Sequence, residues 1–220
     1  MAQGGGGGGG QRGMRGMRGF GGGSPAMLLN RTDVQKDLKL TDDQKTKLAA
    51  ARQDMQDKMR AAFQNGGGGG QPDQAAMQAR MAEMQKMQAD FATTVKGILT
   101  PEQADRLLGI FVQLNGTNAI TNAEVQSKLG LTSDQTAKIK ALQDGQMKAT
   151  QELGQKMRNQ EIDMQAFQDT MKKNNDTMKS ELEKVLTDDQ KSKLKALEGA
   201  KFEAEQQPGR GGFGGGGGGN

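Results

Sequence analysis

Apolar residues recur at steps of three and four along four stretches of the chain, with polar and charged residues between them. Leu48, Ala51, Met55, Met59 and Ala62 make the first row, and Met77, Met81, Met84, Phe91, Val95 and Ile98 the second. Ile139, Leu142, Ala149, Leu153 and Met157 make the third, and Met164, Phe167, Met171, Met178, Leu182 and Val185 the fourth. That period belongs to α-helices, and rows this narrow bury one stripe each. They predict long helices over 42–64, 73–97, 133–158 and 163–185. Gln88 and Asn175 interrupt the second and fourth rows at matching places. They are expected to be polar positions inside the seams that fix register.

Four copies of L-T-x-x-Q punctuate these rows: LTDDQKTKL at 40–48, LTPEQADRL at 99–107, LTSDQTAKI at 131–139 and LTDDQKSKL at 186–194. Thr41, Thr100, Thr132 and Thr187 stand where a helix N-cap belongs. Gln44, Gln103, Gln135 and Gln190, three residues on, complete a capping box in which side chain and backbone satisfy each other's donors. Acids fill most of the intervening first-turn positions, where the helix dipole favours them, and Pro101 takes the first helical position. Leu40, Leu99, Leu131 and Leu186 precede the caps. Each is expected to fold back onto the apolar residue eight positions on: Leu48, Leu107, Ile139 or Leu194.

The copies are themselves ordered. Leu131 lies 91 residues after Leu40, and Leu186 lies 87 after Leu99, so motifs one and two recur as three and four. VQKDLKLTDDQ (34–44) answers VQSKLGLTSDQ (125–135), and VKGILTPEQADRL (95–107) answers LEKVLTDDQKSKL (182–194). The chain reads as a tandem duplication. Each half is a short helix, two long helices joined by a turn, and a terminal helix begun by its second motif. The expected boundaries are a Gly/Arg-rich disordered tail at 1–29, a first repeat at 30–115 with a Gly-rich loop at 65–71, a linker at 116–120, a second repeat at 121–207, and a Gly-rich disordered tail at 208–220.

Composition narrows the function. Only 33% of residues are hydrophobic, so the chain cannot build a thick core. The 34 glycines concentrate in the two tails and the loop of the first repeat, segments with no side chains to bury. Arg12, Arg15, Arg18 and Arg31 precede the first acid, Asp33, and Arg210 follows the last, Glu205; taking these five from the net charge of +4 leaves the body near −1. The basic character belongs to the tails, and the body has no electrostatic reason to seek nucleic acid. No apolar run is long enough to span a membrane. The opening MAQGGGG has no apolar signal core, while Ala2-Gln3 suits the remnant of a cleavage site; the chain reads as a mature or trimmed form.

DLKLTDDQKTKL, with Met55 and Met59 downstream and then VKGILTPEQADRL, resembles the Spy/CpxP family of LTxxQ-motif proteins of the bacterial periplasm. The resemblance covers 30–115 and again 121–205, each half being similar to one protomer of the family. It implies an all-α fold in which two Spy-like helical-hairpin repeats pack as a thin pseudo-dimeric cradle within one chain, with disordered Gly-rich tails. It also implies a periplasmic or otherwise exported, ATP-independent chaperone for unfolded or partly folded proteins. Members of the CpxP type also damp an envelope-stress sensor kinase, so a sensor partner belongs to the same expectation. The chain departs from the family in its fusion, its poly-Gly segments and its lack of His, through which some relatives bind zinc or nickel.

The residue types agree with a binding protein. With no His or Cys, and acids explained by capping, no catalytic constellation and no cofactor are expected. Met suits a surface that holds many different apolar segments, because its side chain is flexible and polarizable, although Met at helical spacing also serves as core filler. The candidate client-binding residues are Met55, Met59, Met77, Met81, Met84, Met147, Met157, Met164, Met171 and Met178, with Arg52, Lys58, Arg60, Arg80 and Lys86 to attract acidic segments. Two alternatives stand beside this. Met81, Met84 and Met87 place three thioethers along one helix, which would suit Cu(I) or Ag(I). QRGMRGMRGF (11–20) resembles Arg-Gly segments that contact single-stranded RNA.

Overall fold

The computed structural model describes residues 24–65 and 74–204, without the side chains of 63–65, 74–78, 80 and 81. All secondary-structure elements among the described residues are helices, with no strand among them. A 3₁₀-helix at Pro25–Asn30 precedes α1 (Thr32–Asp37), α2 (Asp42–Asn65), α3 (Gln74–Ile98) and α4 (Pro101–Asn115). A second 3₁₀-helix at Gly116–Thr121 precedes α5 (Ala123–Leu129), α6 (Ser133–Arg158), α7 (Met164–Val185) and α8 (Asp188–Leu197). The predicted long helices therefore hold to within a residue at every described end.

The chain forms two compact units. One comprises Ala26–Gln113 together with Gly199–Ala204; the other contains Leu114–Glu198. In the first unit α2 packs along α3, and the buried cluster includes Ala26, Leu29, Val34, Leu38, Leu48, Phe91, Val95, Ile110 and Phe202. In the second, α6 packs along α7, and the 3₁₀-helix Gly116–Thr121 touches α5, α6 and α7. Ile120, Val125, Leu129, Ile139 and Leu182 are buried there.

Three boundaries differ from expectation, each because a short segment finds burial for its apolar residues. Residues 25–29 of the expected tail form the first 3₁₀-helix, with Ala26 and Leu29 buried; residues 1–23 lie outside the described ones, as do 205–220 and, in the loop, 66–73. The expected linker 116–120 is the second 3₁₀-helix, with Ala119 and Ile120 buried. Both 3₁₀-helices are held alike: Gln35 Nε2 donates to Leu29 O at 2.6 Å, and Gln126 Nε2 donates to Ile120 O at 2.9 Å. Third, Gly199, with φ +63°, turns the chain after α8, and Gly199–Ala204 joins the first unit instead of extending the second repeat to 207.

The expected seam positions Gln88 and Asn175 are exposed. The half-buried residues one position earlier, Met87 and Asn174, lie on the seams instead. Asn175 accepts a hydrogen bond from Gln146 Nε2 at 3.1 Å on the outside of α6 and α7. Steps of three and four allow either phase locally, and burial of Phe91, Val95 and Leu182 decides it.

Candidate functional site

The four motifs do more than begin helices. In each, the Gln backbone N–H donates to the Thr hydroxyl at 3.2–3.3 Å, and the Thr backbone N–H donates to the Gln Oε1 at 3.0 Å. The Gln side-chain amides then reach each other within a unit. Gln44 Nε2 donates to Gln103 Oε1 at 2.6 Å and to Ile98 O at 3.0 Å, while Gln103 Nε2 donates to Gln44 Oε1 at 3.2 Å and to Leu38 O at 3.0 Å. Gln135 Nε2 donates to Gln190 Oε1 at 2.7 Å and to Val185 O at 2.8 Å, and Gln190 Nε2 returns to Gln135 Oε1 at 2.9 Å. Each pair thus ties the start of one long helix to the end of the other. Glu would cap equally well but could neither donate nor sit beside a second carboxylate. That all four positions are Gln was the available signal of this pairing.

The leucines beside the caps complete this framework. Leu40, Leu99 and Leu186 are buried and Leu131 half-buried, while Leu48, Leu107, Ile139 and Leu194 are all buried. The motifs are therefore structural hardware at the base of each hairpin.

The methionines lie along the hairpins. Met55, Met59, Met84 and Met87 are half-buried in α2 and α3, as are Met147, Met157, Met171 and Met178 in α6 and α7; Met164, opening α7, is 53% exposed. Met77, Met81 and Arg80 have side chains outside the described residues, so the row Met81, Met84, Met87 is placed only in its last two members. Between α2 and α3 a shallow groove of about 50 Å³ is lined by Met55, Met87 and Phe91 with Asp54, Lys58 and Asp90 around them. It mixes apolar with charged side chains and is too small to enclose a cofactor. Among the described residues no cluster of three or more His, Cys, Asp or Glu could hold a metal ion, and no helix is long and apolar enough to cross a membrane.

The candidate cations divide. Lys58 Nζ pairs with Asp54 at 2.7 Å, and the hydrogen bond it donates to that carboxylate raises its pKa. Arg60 and Lys86 are exposed. Arg52 is half-buried and donates to Leu29 O at 2.8 Å, which makes it a strut beneath the first 3₁₀-helix.

A second cluster, absent from the sequence-based candidates, gathers on the first unit around its C-terminal strap, Gly199–Ala204. Phe202 is only 8% exposed, with the Arg31 guanidinium 5.8 Å from its ring centroid. Arg31 is held by Asp33 through two bonds of 3.0 and 2.6 Å, and this hydrogen bonding raises its pKa. Arg106 is likewise held by Asp37 at 2.7 and 2.8 Å, which raises its pKa, and donates to Ala200 O at 2.5 Å. Gln113 Nε2 donates to the same carbonyl at 2.7 Å while its Oε1 accepts from the Phe202 N–H at 2.8 Å. The one hint in the sequence is a lone Phe in the polar run AKFEAE.

Residues 26–107 match a family described as a domain of unknown function, DUF4890. The match begins in the first 3₁₀-helix and runs through α3 into α4, so it covers most of the first unit. No curated protein and no solved structure matches the chain.

Proposed function

We propose that the chain is an ATP-independent chaperone of the Spy/CpxP type, exported to the periplasm, that binds partly unfolded proteins on the methionine-bearing faces of its two hairpins. In this reading the two units stand for the two protomers of a dimer joined in one chain. The observation that carries the proposal is the half-burial of Met55, Met59, Met84, Met87, Met147, Met157, Met171 and Met178 among exposed charges. A thioether that is half in contact and half in water offers apolar area without a fixed shape, so it can grip varied segments weakly. Arg60 and Lys86 near the first row, and Lys148, Lys156 and Arg158 near the second, are exposed and would draw acidic segments before apolar contact forms.

Light scattering of a reduced or heated client, with and without the protein and without nucleotide, tests this. Suppression at a few-fold excess is expected, and replacing Met55, Met59, Met84 and Met87 together by Gln should weaken it while helicity persists. Salt should slow capture more than it loosens the complex, since screening shortens to about 3 Å at 1 M while apolar burial persists. No suppression by the parent chain ends the chaperone reading.

A further inference from the structure

The strap Gly199–Ala204 has no helical or sheet structure of its own beyond the turn at Gly199, and lies on the first unit as a bound peptide lies on a receptor. The contacts read little of its sequence. Gln113 and Arg106 engage the carbonyl of Ala200, Gln113 also engages the N–H two residues later, and only Phe202 sends its side chain into the core cluster. Lys201 and Glu203 are exposed. One carboxamide that accepts from residue i+2 and donates to residue i measures an extended backbone, whatever the side chains. Arg31 over the ring adds a preference for an aromatic. Both arginines are pre-positioned by their aspartates, so a ligand does not have to order them.

The clamp is confined to the first unit. At the offsets of the repeat, Asn122 stands for Arg31, Lys193 for Arg106 and Ala200 for Gln113. The second unit therefore carries none of the three recognising side chains.

We propose that Arg31, Arg106 and Gln113 form a binding site for extended peptide segments that carry an aromatic residue two positions after a clamped carbonyl. The strap Ala200–Phe202 is its resident ligand in cis, and a segment of a partly unfolded protein displaces it. Unfolded chains supply both requirements, free backbone and exposed aromatics. A tethered competitor at high effective concentration keeps capture weak and release ready. The identity of the arriving segment rests on the chaperone reading; the site itself does not.

The chain has no Cys, so Lys201→Cys in the full chain gives a single attachment point for a spin label on an exposed strap position. The probe is a dye-labelled synthetic peptide with the sequence of residues 199–204, GAKFEA. Phe202→Ala in the full chain should bind it at least about tenfold more tightly than the parent, because the competing closed state is weakened. Adding Gln113→Ala should abolish that gain, and the peptide with Ala in place of Phe should not bind. In the labelled parent, excess peptide should mobilise the label, a readout independent of whether Phe202→Ala folds well. Equal peptide binding by parent and Phe202→Ala, or a label unmoved by saturating peptide, overturns the site. Label mobility that depends on protein concentration and not on peptide also overturns it, in favour of straps exchanged between two copies. Peptide binding without suppression of client scattering upholds the site and removes the chaperone; suppression without peptide binding does the reverse.

Discussion

The two units use one set of caps and differ in what surrounds them. Each has a 3₁₀-helix tied by a Gln side chain, a short helix, a long hairpin, and a Gln–Gln pair at the hairpin base. Around that base they diverge. Asp37 and Arg106 form an ion pair at 2.7 Å in the first unit; the matching residues of the second are Lys128 and Lys193, two like charges, and Lys193 turns to Asp189 at 2.8 Å within its own helix. The first unit takes Phe202 into its core, while the hairpin of the second buries Leu153 and holds Met171 Sδ 3.9 Å from the Thr150 hydroxyl. The lesson is that the motif secures a hairpin but does not specify its surface. Hydrogen bonds at the base leave the outer faces free to carry different chemistry.

The largest expected effect tests the shared part. Gln44→Glu keeps the acceptor for the cap but cannot donate to Ile98 O or Gln103, and Gln135→Glu is the same change in the second unit. Each should cost about 2 kcal/mol in urea unfolding at neutral pH, because partly buried acceptors lose their donor and a carboxylate replaces an amide. Equal losses would support a common role for the two pairs. A loss of only a few tenths would reduce these glutamines to ordinary caps.

A smaller effect sits at a place where the units disagree in sequence but not in conformation. α5 ends at Gly130 with φ +63°, its N–H bonded to Ser127 O and the next N–H to Gln126 O. Lys39 occupies the same place after α1 with φ +50°, and its bonds run to Lys36 O and, from Leu40, to Gln35 O. A left-handed residue with a Cβ costs roughly 1 kcal/mol that Gly does not. Lys39→Gly should therefore stabilise the chain by about that amount. Gly130→Ala should destabilise it similarly, since no atom lies within 4 Å of an added Cβ and the cost is backbone alone. Thermal melts of the two variants should move in opposite directions. Movement in the same direction would mean that one unit does not govern the transition being read.

These differences also mark what was legible beforehand. Caps are local, so Thr41, Thr100, Thr132 and Thr187 could be placed from a few neighbouring residues, and helix limits such as Ser133–Arg158 followed. Pairing across a hairpin is not local: nothing near Gln44 in sequence points to Gln103. Phe202 was invisible because its neighbours are polar and it belongs to no periodic row. Arg52 read as a surface charge because a guanidinium in a helix usually reaches water, whereas here it meets a backbone carbonyl at the end of a 3₁₀-helix. The segment 25–30 was obscured by the glycines before it, although its counterpart at 116–121 lay at the same offset as the first and third motifs.

The smallest effect separates the units by pH. Asp42 has its pKa lowered, chiefly by the hydrogen bond from Lys45, and Glu102 has its pKa lowered by its own backbone N–H and then by the Thr100 hydroxyl. A carboxylate depressed in the folded state contributes stability that is full above its unfolded pKa and fades as pH falls through the folded one. The contribution is present at neutral pH and is lost in the acid range, below the ordinary carboxylate value of about 4. Both groups are fully exposed, so the effect is small and salt-sensitive. In the second unit Ser133 stands where Asp42 stands and does not titrate. Asp42→Ser should therefore make the first unit's α2 start resemble its counterpart: slightly lower stability at pH 7, and a shallower decline of melting temperature between pH 5 and pH 3. An acid limb unchanged by Asp42→Ser would show that the helix start is not where protonation acts.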